Sequence, residues 1–204
     1  AYDHATASRD LDGYPQRCPT AFQEVYREVA RRHPGSIYID GQAYFHAISP
    51  DGLLDDRLFH DAMHPSFRGH LALAQAVLRG LRQRLAFGWS VDAPAPVVDP
   101  AEIARHFGLN AGVWREICYW GLMSYQITGP ASFDPTVRRR KGEAFQQGAA
   151  RIEAGVPPAE AGLPGIGRTE PIPIVPFGDA TAPLSSDRHD GGAAEAVVGT
   201  SREE

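Results

Sequence analysis

The sequence predicts an α/β fold, with helices packed on a parallel sheet, followed by a small helical extension and an extended or disordered tail. Three observations carry that expectation. An amphipathic helical pattern over residues 20–33 passes through Pro34-Gly35 into Ser36-Ile37-Tyr38-Ile39-Asp40, a β-branched and aromatic run, and helix-turn-strand is the second half of a β-α-β unit. An acidic loop from Asp51 to Asp61 leads into a His-rich stretch that opens onto a second amphipathic helix, as loops at the carboxyl ends of parallel strands do. Beyond Ala93-Pro94-Ala95-Pro96 the apolar spacing is helical, and from Gly155 onward proline replaces it.

Residues 1–18 are polar and turn-rich and predict an irregular lead-in. Thr20 with Gln23 has the spacing of a capping box, and Phe22, Val25, Tyr26, Val29 and Ala30 trace one apolar face for the helix it opens. Arg31, Arg32 and His33 complement the carboxyl end of that helix, and Pro34-Gly35 stops it. Gln42 to Ile48 suits a short helix, and Ser49-Pro50-Asp51-Gly52 suits a turn. Ser66 is placed to cap a helix with the stripe Leu71, Ala74, Leu78, Leu81 and Leu85. Asp99-Pro100-Ala101-Glu102 and Asp134-Pro135 each start a helix by the same chemistry. Between them, Val113, Trp114, Ile117, Cys118, Trp120, Leu122, Met123 and Ile127 are apolar nearly all round, which predicts a helix buried on several sides.

With 43% hydrophobic residues in a chain of 204, there is material for a core. A net charge of −5 gives no reason to expect nucleic acid or an anionic membrane as partner. No apolar run has the length of a membrane span. Cys18 and Cys118 have no metal-ligand spacing and read as free thiols. The basic run Arg138-Arg139-Arg140-Lys141 reads as a solvated face.

The chemistry concentrates in Phe59-His60-Asp61-Ala62-Met63-His64-Pro65-Ser66-Phe67-Arg68-Gly69-His70. Asp61 lies three residues before His64, close enough for its carboxylate to reach one imidazole nitrogen, fix the tautomer and leave the other nitrogen as a base. His60-Asp61 with His64 also admits a divalent-metal site, although the other histidines do not supply the further ligands such hydrolases use. His70 falls in a first helical turn, where packing or capping explains it. Trp114, Tyr119, Trp120 and Tyr125 suit either the core of the helical extension or the wall of an apolar acyl or sugar site.

Asp-x-x-His-Pro-Ser-x-x-Gly-His, left by a Leu/Ala helix, resembles the last sequence block of the SGNH (GDSL-type) esterase and lipase superfamily. The resemblance covers residues 20–87. It implies the carboxyl-terminal part of a flavodoxin-like parallel sheet in residues 1–90, while the spacing and composition beyond it make residues 91–155 a helical extension and 156–204 an extended or disordered tail. It also implies ester hydrolysis by a Ser-His-Asp mechanism on a small or carbohydrate-linked ester, with no cofactor or metal. His64 would be the general base and Asp61 the residue that orients it. The family's Gly-Asp-Ser nucleophile segment is missing; Gly178-Asp179-Ala180 is nearest and lacks the hydroxyl. Asn110 is the one asparagine, and it follows the His block where the family's oxyanion-hole Asn precedes it. The chain is therefore expected to be the carboxyl-terminal portion of a longer hydrolase, supplying Asp and His but not the Ser, Gly and Asn blocks. A non-catalytic remnant that binds through its helical extension is the alternative of another class.

Overall fold

The computed structural model describes residues 2–11, 18–61, 64–131 and 134–174. Seven helices form among them: α1 (Tyr2–Asp10), α2 (Thr20–Arg32), α3 (Gly41–Ile48), α4 (Phe67–Gln83), α5 (Pro100–His106), α6 (Ala111–Thr128) and α7 (Pro135–Glu153). The predicted starts hold where a side chain can reach an unpaired helix N–H. Ser66 accepts from Gly69 N, Asp99 from Ala101 N and Glu102 N, and Asp134 from Thr136 N. The capping box at Thr20 does not form, because Thr20 is itself the first helical residue and Pro19 precedes it without a side-chain bond. The polar lead-in is helical over Tyr2–Asp10 rather than irregular.

The expected parallel-sheet α/β fold is overturned. The structure is 62% helical, and no strand or sheet forms among the described residues. The decisive segment is 36–40, whose ends are turned in on themselves by Ser36 N to His33 O and Gly41 N to Ile39 O. A strand exists only through its ladder, and none is offered here. Strand propensity measures fit to a half-buried surface. Ile37, Tyr38 and Ile39 find such a surface without a sheet, Ile39 lying against Gly80 of α4.

Two apolar clusters hold the fold. One joins Trp114, Cys118 and Tyr125 of α6 to Phe145, Ala149 and Ile152 of α7 and to Ala161, Leu163 and Ile166. The other gathers Tyr44, Phe45, Leu58, Leu71, Ala72, Ala76, Val98 and Ile172, and Phe67 packs against both. The helical extension and residues 41–83 are thus bound together at Phe67, the first residue of α4. Helix α4 turns Ala72, Ala76 and Gly80 inward, so the chain in front of it can approach closely; Ala74 and Leu85 of the predicted stripe face outward. The proline-bearing segment 93–98 is pinned, since the buried Gln75 amide donates to Pro96 O and accepts from Val98 N, and Arg82 donates to Ala93 O.

The proline-rich stretch after Gly155 carries one short turn of helix, Pro158–Glu160, and otherwise runs without regular structure to residue 174. Its side chains are nonetheless core material, with Ile166 and Ile172 buried. Tyr44 Oη donates to Pro173 O, and Arg68 donates to Glu170 O and Pro171 O, so this stretch straps α3 and α4. The rest of the predicted tail, 175–204, lies outside the described residues. Cys18 and Cys118 are free thiols, Cys118 buried and raised by that burial to about 11. No helix among the described residues is long and apolar enough to cross a membrane.

Candidate functional site

The loop between α3 and α4 is pinched by backbone bonds from Ser66 N to Leu58 O and from His60 N to His64 O, with an antiparallel bridge between Phe59 and Pro65. Ser66 makes the pinch rigid. Fully buried, its hydroxyl donates to Arg57 O while accepting from Gly69 N, so one side chain ties the loop to the start of α4. Asp61 and His64 sit at the tip of the loop. Asp61 Oδ1 accepts from His64 N at 2.7 Å, and Oδ2 lies 2.8 Å from His64 Nδ1. The carboxylate side chain is only 6% exposed, whereas the imidazole is 69% exposed.

Helices α6 and α7 grip the same loop. Ser124 Oγ donates to Asp61 Oδ2 at 2.7 Å, and the next residue, Tyr125, donates its hydroxyl to His60 O. Burial raises the Tyr125 phenol to about 12, so it stays protonated and remains a donor. Arg138 lies over the Tyr125 ring and donates to Thr128 Oγ1, and Lys141 pairs with Asp56 at the loop's other shoulder. Two members of the basic run are therefore structural rather than merely solvated. Close approach of α6 and α7 requires Gly121, where a Cβ would fall 2.6 Å from the Phe145 ring.

The predicted residues come together in part. Asp61 and His64 form the expected pair. His60 turns inward, its ring edge-on to Phe145 with centroids 5.9 Å apart, and burial lowers its pKa below the ordinary histidine value. It is a neutral packing residue. His70 is exposed, its Nδ1 3.0 Å from Ser66 O in the first turn of α4. Among the described residues no three His, Cys, Asp or Glu groups are arranged to hold a metal ion.

The aromatic cluster divides. Trp114 and Tyr125 are core, while Trp120 is 66% exposed and Tyr119 is also open. The helix expected to be buried on several sides buries one face and leaves the other as the wall of a cavity of about 420 Å³. That cavity is lined by Ile117, Trp120, Met123 and Ile127, and the Asp61–His64 pair closes one end. Ser124 is the residue that sequence reasoning missed. Its local mark is a hydroxyl on the α6 face set by Ile117, Trp120 and Ile127, which does not name its distant partner.

A base with an oriented tautomer is what this arrangement provides. A carboxylate that accepts from Nδ1 requires the proton there, leaving the Nε2 lone pair available. No described residue hydrogen-bonds Nε2, and Ser66 and Ser49 are both buried and committed to backbone carbonyls. Comparison with protein-family models, with curated proteins and with solved structures gives no match for this chain.

Proposed function

We propose that this chain supplies the base half of a serine-type ester hydrolase, the activity implied by its resemblance to the SGNH His block. The observation that carries the reading is the 2.8 Å pair of a buried Asp61 carboxylate and an exposed His64 imidazole. Burial keeps Asp61 from wandering among solvent partners, and the second bond from Ser124 holds the oxygen that His64 uses. A surface Asp–His contact serving only to cap a helix would not need either.

In this mechanism His64 Nε2 takes the proton of a serine hydroxyl from outside the described residues as its oxygen attacks the ester carbonyl. The tetrahedral intermediate collapses as the imidazolium returns that proton to the leaving alcohol. Water, deprotonated in turn by His64, then attacks the acyl-enzyme and releases the acid. The sum is ester plus water to acid plus alcohol. Asp61 stabilises the transient imidazolium and keeps the ring in register.

The test is hydrolysis of p-nitrophenyl acetate by the full-length gene product. His64→Ala lowers kcat/KM by about a hundredfold or more, and Asp61→Asn lowers it comparably by releasing the tautomer. Undiminished turnover in His64→Ala would sink the proposal.

A further inference from the structure

The cavity beside the base has walls and an end of opposite character. Ile117, Trp120, Met123 and Ile127 recur along α6 at the spacing of one helical face, and the polar residues among them already use their protons. Ser124 Oγ donates to Asp61, and Thr128 Oγ1 donates to Ser124 O while accepting from Arg138. The floor therefore offers a ligand no free hydroxyl proton. Among the described lining residues, the polar atoms left to a ligand lie at the loop end, where His64 keeps its second ring nitrogen and the His60 imidazole also borders the cavity. An occupant that fits is apolar along its length and carries one polar, reactive head at a single end.

Its volume of about 420 Å³ falls in the range of small-molecule sites. Trp120 and Ile127 are 66% and 70% exposed, so large apolar area stands open to water at a reactive end, where an occupant would cover it. We propose that this α6 groove holds the aliphatic acyl chain of the ester, with the carbonyl delivered to His64; the inference rests on the hydrolase reading for its head group and on the groove alone for its chain. Preference for longer acyl chains follows. A fully buried methylene is worth about fourfold in binding, and in a half-open groove octanoate should exceed acetate by at least about tenfold in kcat/KM.

The experiment has two arms on the full-length gene product. In the first, sodium octanoate and sodium acetate are titrated while tryptophan emission is followed. Octanoate shifts the emission, acetate does not, and Trp120→Phe abolishes the shift. In the second, p-nitrophenyl acetate, butyrate and octanoate are compared, and Ile127→Asn lowers the octanoate-to-acetate ratio by about tenfold. Both positions are exposed, so neither variant threatens folding. A flat chain-length profile beside His64-dependent acetate hydrolysis overturns the groove and leaves the hydrolase reading standing. Octanoate binding through Trp120 with no ester turned over does the reverse. Loss of a dimer in Ile127→Asn, with no octanoate response in the parent, would assign the face to a second copy and overturn the proposal.

Discussion

Helices α2 and α4 carry the same kind of apolar stripe and meet opposite fates. Helix α4 buries Leu71, Ala72 and Ala76 beneath the loop that holds Asp61 and His64. Helix α2 displays Phe22, Val25, Tyr26 and Val29 at exposures between 46% and 59%, and no residue of it is buried. Its tie to the rest is polar, chiefly Arg27 to Asp40 at 2.7 Å. Periodicity thus reports which face of a helix is apolar and says nothing of what covers it. Cover depends on a neighbour that can come close. Small side chains and Gly80 on α4 allow this, whereas the described residues place no element over the α2 stripe.

The contrast can be broken by truncation. Leu71→Ala in α4 should cost about 2–5 kcal/mol of folding stability, read as a lowered denaturant midpoint, because a cavity opens under the loop. A loss below about 1 kcal/mol would mean that α4 is not anchored as described.

The loop sharpens it further through pH. His60 has a lowered folded-state pKa, so the folded protein binds fewer protons than the unfolded chain just below the ordinary histidine value of about 6.5. Its contribution is fully present above that value and is lost as pH falls through it towards the folded-state pKa. The thermal midpoint should drop on acidification across that window, and His60→Gln should flatten the drop. An equal slope in the variant would show that His60 is not the buried group responsible.

At the small end, Val25→Ala on α2 should change stability by no more than about 0.5 kcal/mol. A loss as large as that of Leu71→Ala would show that something covers the α2 stripe in solution.

Much of the local structure was legible in the sequence. Ser66, Asp99 and Asp134 announced their helices because capping is a short-range interaction between residues two or three apart. The Asp61–His64 pair was legible for the same reason. What failed was long-range. Ile37, Tyr38 and Ile39 have strand chemistry, but pairing needs a partner that no local pattern supplies. The prolines after Pro157 suggested a free tail, yet Ile166 and Ile172 bury themselves in two separate clusters. Ser124 reaches Asp61 across a separation of 63 residues, which no spacing rule anticipates.

If Asp61 fixes His64 as an oriented base, the tautomer of the His64 ring records it. Isotope-labelled imidazole nitrogens observed by NMR at neutral pH should place the proton of neutral His64 on Nδ1, with Nε2 bare. Asp61→Asn should disturb that assignment. A His64 protonated on Nε2, or a tautomer mixture indifferent to Asp61→Asn, would mean that Asp61 does not orient the ring.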